Sequence, residues 1–497
     1  MKEYNQKLTD FTKNWGSNPD FAFISQLKEQ FPKAGIYLVG GAVRDIILDR
    51  ETKDFDFVIT KVDTKDLEKL LSKLGKVNLV GKSFGVFKFV PKDSSLGEDI
   101  DIALPRTEQA GMSGGYKDFE IQSDKDLPIE EDLGRRDFTI NALAWDMVGQ
   151  KLVDEFSGLK DLETKTIRAI GNPETRFQED YTRMLRAIRF SAQLDYKIES
   201  KTKKIIEKKI KEITTIAPER INEELTKIIM SDNAENGIRL MQKIGMLNIL
   251  IPELESGVGV KQNKAHIYEV FEHNVRALGA GATRGYKLEI RLAALFHDVS
   301  KPETKEGDGP DASFHNHEIV GATIVRKILK RLNYSNDIVK YVTHLVRYHM
   351  FYYALDIVTD AGVRRLLNRL GKENIDDFIN VRICDRLGMG RPKAKPWKLI
   401  QLERRFKEVE LEPITPRMVK LSGDELMPLL KLKPGPKIGL LLNALLGEVL
   451  ENPELNKKEL LIKRVKELNK LDDKELKKFH PDIKFYEEEQ KRMVHHN

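Results

Sequence analysis

The chain has 497 residues, a third of them charged, with a net charge of +6 and one cysteine. That length exceeds a single hydrophobic core and points to three or four domains. The lone Cys384 excludes an internal disulfide and any multi-cysteine zinc site, and no apolar run is long enough to cross a membrane.

The opening segment, MKEYNQKLTDFTKNW, carries no apolar signal-peptide core, so a cytoplasmic location is expected. Apolar runs at Ile36–Val39, Phe55–Ile59, Val86–Val90 and Ile100–Ala103 predict strands, and Ala42–Leu48 and Asp66–Leu74 predict helices. Residues up to 155 therefore read as an α/β head. Gly and Ser clusters at Ser94–Gly97 and Gly111–Gly115 mark loops within it. From about Thr175 onward the apolar residues recur at three- and four-residue spacing, as in TRMLRAIRFSAQL and RINEELTKIIM. That period predicts an all-helical remainder, with GDGPDAS (307–313) as a loop. Lysine-rich stretches at 197–211 and 457–478 fit either a phosphate-contacting surface or a solvated helix face. Cys384 lies in VRICDRL and reads as a small buried side chain.

In LVGGAVRDIILDRETKDFDFVIT (38–60), Gly40 and Gly41 follow the first strand. Without Cβ atoms they let backbone N–H groups approach a triphosphate. Asp54 and Asp56 flank Phe55 at the head of the second strand, and residues two apart on a strand share a face. Paired hard oxygen ligands suit Mg²⁺, which commonly uses one or two carboxylates plus substrate phosphates. A tight turn beside two acidic residues is the simpler alternative. Asp101, in DIDIA (99–103), alternates onto the same face as a third carboxylate, catalytic or structural.

LVGGAVRD followed by KDFDFVI resembles the signature of the class II CCA-adding enzyme and bacterial poly(A) polymerase family, within the polymerase-beta-like superfamily. The resemblance implies a nucleotidyltransferase head with a mixed sheet, followed by an all-α neck, body and HD region. The expected boundaries are head 1–155, neck 156–215, body 216–260, HD region 261–390 and a tRNA-binding helical tail 391–497.

Further blocks appear in the family's order. Residues 107–125 resemble the flexible loop needed for the final addition step. Arg135–Ala142 reads RRDFTINA, the family motif. By resemblance Arg136 and Asp137 contact the ribonucleotide and favour ribose, with Asn141 bridging and Arg44 joining Gly40 and Gly41 around the triphosphate. DEFSGLKDL (154–162) resembles the head–neck hinge, where Gly158 permits the turn. In EDYTR (179–183), Asp180 and Arg183 are three apart and are expected on one helix face. A carboxylate accepts from the exocyclic amine of cytosine or adenine, and a guanidinium donates to the adjacent ring nitrogen. Guanine and uracil reverse both contacts, so such a pair selects CTP and ATP without a nucleic-acid template. An ordinary i,i+3 ion pair is the alternative. Arg186 and Arg189, on the same helix, complete the expected nucleotide-binding set.

Histidines concentrate between His266 and His349. LAALFHDVSKPET resembles the HD phosphohydrolase superfamily, which implies His273, His297, Asp298 and Asp385 as ligands to Ni²⁺, Mn²⁺ or Zn²⁺. Ser300 stands where that superfamily usually has glycine, which leaves the turn geometry open. A degenerate HD fold serving as RNA scaffold is the alternative.

The leading expectation is template-independent addition or repair of the tRNA 3′-CCA end from CTP and ATP with Mg²⁺, by a monomer or homodimer. Poly(A), CC-only and A-only addition share these motifs. From another class, the chain would be an HD phosphohydrolase with a dead head, or a non-catalytic RNA-binding protein.

Overall fold

The computed structural model describes residues 1–80, 86–92, 94, 96, 99–109, 120–263, 266–350, 358–410 and 415–483. The chain folds as two compact units, Met1–Leu250 and Ile251–Asn497.

The first unit is built on a seven-stranded mixed sheet. In chain order its strands are β1 (Gly35–Val39), β2 (Asp56–Thr60), β3 (Gly75–Val80), β4 (Val86–Pro91) and β5 (Ile100–Ala103), then β8 (Ala144–Asp146) and β9 (Lys151–Val153) after the ribbon described below. They lie in the order β3-β4-β5-β2-β1-β8-β9. Only β2 and β5 run parallel; the other pairs are antiparallel. The four predicted strands are present, and β3, β8 and β9 are additions. One face is sealed by aromatic packing: Trp15 stacks on Phe21 with ring centroids 3.8 Å apart, and Phe23 meets both Phe57 and Phe89 edge-on. The opposite face carries Val39, Val58 and Ala144 under Ile129, Leu133 and Ile170.

The loop expected at 107–125 lies partly outside the described residues. Its described ends form an antiparallel ribbon, β6 (Arg106–Gln109) with β7 (Glu120–Ser123).

The hinge differs from expectation in its cause. Gly158 begins a helix, Gly158–Glu163, and the left-handed residue is Ser157 (φ 60). Gly158 is needed for packing, because a Cβ there would lie 2.4 Å from the Thr139 carbonyl oxygen. Asp154 accepts from the Gly158 and Leu159 amides at 2.6 and 3.1 Å, pinning the helix start. After this the first unit is helical apart from short two-residue strands.

The second unit is helical, with two-residue strands at Lys305–Glu306 and Ser313–Phe314. Helices Val270–Thr283, Leu288–Phe296, His317–Arg331, Asn336–Tyr348 and Ile375–Gly388 carry the histidines and their aspartates. Cys384 is fully buried there, and burial pushes its thiol up to about 12, so it serves as core packing. One apolar cluster runs from Val363 and Phe378 through Phe406 to Leu446 and Val465, spanning residue 390 without a break. Among the described residues no helix is long and apolar enough to cross a membrane.

Candidate active site

Strand register assembles the head carboxylates. Asp56 opens β2 and pairs with Asp101 on β5, which in turn pairs with Lys88 on β4. Directly paired residues face the same side of a sheet, so these three form one row. Lys88 Nζ lies 3.1 Å from Asp101 Oδ1. Asp54 is exposed in the segment that leads into β2. Burial, with help from Asp54 and Asp101, pushes the Asp56 carboxyl up to about 6 despite Arg136 and Lys88. The physical source is position: Val39 and Val58 adjoin Asp56 on an apolar face.

Gly40 holds φ 73 at the exit of β1, where a side chain would be strained. A Cβ there would also lie 2.5 Å from Arg136 Nη1, so the Arg136 guanidinium occupies the space over this turn. Arg136 is anchored near Asp132, which is 0% exposed and also accepts from Arg135 Nε at 2.8 Å. Arg44 does not point into open solvent. Its Nη1 donates to Asn141 Oδ1 at 2.6 Å, and Nε and Nη2 donate to Asp45 at 2.9 and 3.0 Å.

From Asn141 the network enters the helix Thr182–Leu194. Asn141 Nδ2 donates to Asp137 Oδ1 (3.1 Å), and Arg186 Nε donates to Asp137 Oδ2 (2.7 Å). Burial alone would raise the Asp137 carboxyl, but Arg186 and Asn141 together hold it well below the usual carboxylate range. Arg189 Nη1 donates to the buried Glu224 at 3.2 Å, and burial pushes this guanidinium down to about 10. Arg44, Arg186 and Arg189 all lie over the Phe190 ring, at 5.1, 5.4 and 4.2 Å from its centroid.

The expected Asp180–Arg183 helix face is corrected. Asp180 lies outside both flanking helices, Pro173–Glu179 and Thr182–Leu194, with extended backbone (φ −156, ψ 105). Its Oδ1 accepts from the Thr182 amide at 2.9 Å, so the side chain caps the helix start instead of standing on its face. Its Oδ2 accepts from Arg220 Nη2 at 2.7 Å. Arg183 Nη1 donates to Glu179 (2.5 Å) and to the Arg176 carbonyl (3.0 Å), and Nη2 donates to the Arg135 carbonyl (3.1 Å). Each is therefore fixed by partners other than the other, which removes the ordinary i,i+3 ion pair as an explanation.

Lys88, Asp132, Glu179, Phe190, Arg220 and Glu224 are the supporting residues that sequence reasoning missed. Spacing offered Asp132, three and four residues before Arg135 and Arg136. It offered nothing for Arg220, forty residues from its partner.

In the second unit the four expected ligands converge. His273 Nε2 lies 2.9 Å from His297 Nε2, 3.2 Å from Asp298 Oδ2 and 3.4 Å from Asp385 Oδ1. His297 Nε2 lies 3.3 and 3.6 Å from the same two oxygens. Burial opposes charge on His297, yet Asp298 and Asp385 push it up to about 10. Burial likewise opposes ionised Asp298, which His297 and Lys301 hold well below the usual range. His266, His317 and His349 join the cluster, whereas His344 turns to the Leu370 carbonyl. The Ser300 question resolves simply. Its backbone is right-handed (φ −92), where glycine is not required, and its Oγ donates to the His317 carbonyl at 2.5 Å.

Comparison with known proteins agrees with both units. Residues 36–168 match the family described as "Poly A polymerase head domain", residues 195–257 "Probable RNA and SrmB- binding site of polymerase A", and residues 270–388 "HD domain". The A-adding tRNA nucleotidyltransferase of Deinococcus radiodurans is 33% identical over 439 residues, covering 84% of this chain and 92% of that protein. The multifunctional CCA protein of Neisseria gonorrhoeae is 32% identical over 369 residues, covering 73% and 86%. The Bacillus stearothermophilus CCA-adding enzyme, solved in complex with CTP, shares the fold, with a TM-score of 0.64 at 24% identity over 91% of this chain and 98% of that one.

Proposed function

Because this chain belongs to the tRNA nucleotidyltransferase family built on a poly(A) polymerase head, we propose that it adds or repairs the 3′-terminal CCA of tRNA from CTP and ATP, releasing pyrophosphate. One observation carries this reading. Asp56 and Asp101 stand side by side on the sheet, while Asp180 and Arg183 are each locked by separate partners at the start of the neck helix.

Asp54 and Asp56 are the residues that would hold Mg²⁺. The chemistry fits, since the raised Asp56 carboxyl needs more positive charge than Arg136 and Lys88 provide. Bound Mg²⁺ supplies Lewis acidity to the attacking 3′-hydroxyl and to the leaving pyrophosphate. Lys88 holds Asp101 in place beside Asp56. Gly40 and Gly41 offer backbone N–H groups to the triphosphate, with Arg136 above the turn and Arg44 braced on Asn141. Asp137 and Asn141 set the ribose side. Asp180 retains acceptor capacity for the exocyclic amine of cytosine or adenine, because each carboxylate oxygen accepts more than one bond. Arg183 donates to the ring nitrogen. Guanine and uracil place a carbonyl and an N–H at these points, at a cost on the order of a few kcal/mol. A tRNA substrate implies the cytoplasm, and the C-terminal helices with their lysines are the surface for it.

The His–Asp cluster supports a second reading, hydrolysis of a phosphate ester at an RNA end with Ni²⁺, Mn²⁺ or Zn²⁺. Its basis is the convergence of His273, His297, Asp298 and Asp385 within one buried site.

The Asp54→Ala variant tests the first reading. It is expected to lose nucleotide addition, keep its circular dichroism spectrum, and retain any hydrolysis by the second unit. Retained addition would overturn the metal assignment.

A further inference from the structure

The geometry points to Lys88 as the residue that receives the attacking end of the acceptor RNA, through the phosphate joining its last two nucleotides. This rests on the nucleotidyl-transfer reading of the head and adds the side from which the second substrate arrives.

One row of side chains crosses four strands of the sheet. Val39 on β1 pairs with Asp56 on β2, Asp56 with Asp101 on β5, and Asp101 with Lys88 on β4. Neighbouring strands lie about 4.8 Å apart, so the row from Val39 to Lys88 spans roughly 14 Å. Its two ends differ in chemistry. At the β1 end the chain turns at Gly40 with φ 73, and the Arg136 guanidinium lies over that turn. Open backbone N–H groups beside a guanidinium suit the triphosphate. The middle of the row holds the two carboxylates. Its far end is Lys88, with Nζ 3.1 Å from Asp101 Oδ1.

β4 reads VFKFVP, and Lys88 is its one polar side chain. Phe87 and Phe89 on either side are fully buried, and Phe89 packs edge-on against Phe23 on the aromatic face. Alternation therefore turns Lys88 to the carboxylate face. The lysine side chain is 43% exposed and that of Asp101 33%, so the ammonium is open to a substrate. An ion pair this exposed contributes little to stability, and folding alone gives no reason for a lysine in a strand that is otherwise apolar.

Direction follows from the reaction. In phosphoryl transfer the attacking and leaving oxygens stand roughly in line on opposite sides of phosphorus. With the triphosphate held at the β1 end, pyrophosphate leaves toward Gly40 and Arg136. The α-phosphorus then lies over Asp56 and Asp101, and the 3′-hydroxyl of the RNA approaches from the β4 side. Lys88 stands on that side. The phosphate one nucleotide back from this hydroxyl carries a full negative charge. A lysine ammonium suits it, being a compact charge on a flexible stem that adjusts to each newly added nucleotide. Before RNA arrives, Asp101 keeps the ammonium over the row; afterwards the ammonium bridges the carboxylate and the phosphate.

The test uses the full-length chain and a tRNA transcript lacking CCA, either unmodified or with a neutral methylphosphonate at its last internucleotide linkage. Lys88→Met is expected to raise the KM for the transcript about tenfold, the loss of one charge-assisted contact. The KM for CTP should stay unchanged, and Lys88→Arg should restore most of the loss. The methylphosphonate should cost the wild type the same factor and cost Lys88→Met nothing more. Binding of the transcript without CTP reads the contact apart from chemistry. Its slope of log Kd against log salt should fall by about 0.7 in Lys88→Met, the value for one phosphate of a single strand. An unchanged KM for the transcript in Lys88→Met, or a methylphosphonate penalty that persists in that variant, would overturn the proposal. A lower kcat with both KM values unchanged would also overturn it and leave Lys88 as a brace for Asp101. A wild type that adds no nucleotide, yet shows the slope difference against Lys88→Met, would support the phosphate contact and remove the nucleotidyl-transfer reading alone.

Discussion

Arg220, on the helix Pro218–Ile229, holds Asp180 through a 2.7 Å bond from Nη2 to Oδ2, although Asp180 lies between two helices forty positions earlier in the chain. Asp180 is thereby oriented by a residue that need not touch the nucleotide. Under the proposed function this makes Arg220 a positioning residue for base choice. Arg220→Ala is expected to lower kcat/KM for CTP and ATP about tenfold, equivalent to about 1.4 kcal/mol. Discrimination against UTP and GTP should fall with it, and Arg220→Lys should restore part of both. Single-nucleotide incorporation with each of the four NTPs measures this. A uniform loss of rate with unchanged base preference would assign Arg220 to the scaffold only.

If Asp56 holds the metal of the proposed function, it links stability to that metal. Its carboxyl is raised in the folded chain to about 6, so folding favours the protonated form. That contribution is fully present below the unfolded value near 4 and is lost as the pH rises through 6. At pH 7 the ionised group therefore costs stability, roughly 2–3 kcal/mol, until a cation binds. Metal-free Asp56→Asn should melt above the metal-free wild type at pH 7 and match it at pH 4. Mg²⁺ should raise the melting temperature of the wild type and leave that of the variant unmoved. Thermal melts at both pH values, with and without Mg²⁺, check this, and nucleotide addition by the variant should be lost.

Asp137 has the opposite sign. Arg186 and Asn141 hold its carboxyl well below the usual range, so its contribution is present above pH 4 and disappears as the pH falls further. Asp137→Asn leaves Arg186 with the more distant Glu224, 3.7 Å away, and the field of Asp180. The expected loss at pH 7 is about 3 kcal/mol. Chemical denaturation should show that gap narrowing between pH 4 and pH 2, and a gap independent of pH would contradict the assignment.

Much of this arrangement was legible in the sequence where the information is local. The apolar runs of β1, β2, β4 and β5 are continuous enough to read as strands, and alternation placed Asp56 and Asp101 on one face before the register showed them adjacent. β3 reads GKVNLV, its polar residues diluting the signal, and β8 and β9 span three residues each. The i,i+3 rule misled at Asp180 because a residue that caps a helix start stands outside that helix and off its face. Hinge glycine Gly158 was found for the wrong reason: the Thr139 carbonyl, nineteen residues earlier, decides it. Arg220 and Glu224 share a helix face, yet their partners come from the neck helix and its approach, which only folding reveals. In the second unit, the resemblance to the HD superfamily named His273, His297, Asp298 and Asp385 but not which oxygen of Asp298 each histidine meets.

The central claim, that one site adds C, C and A in order without a template, is tested most directly by sequencing the 3′ ends of a tRNA transcript lacking CCA. The transcript is incubated with the protein, Mg²⁺ and all four NTPs. Transcripts ending in a single CCA, with no further extension, are the expected result. Tails of repeated A, or products halted at CC in the presence of ATP, would contradict it.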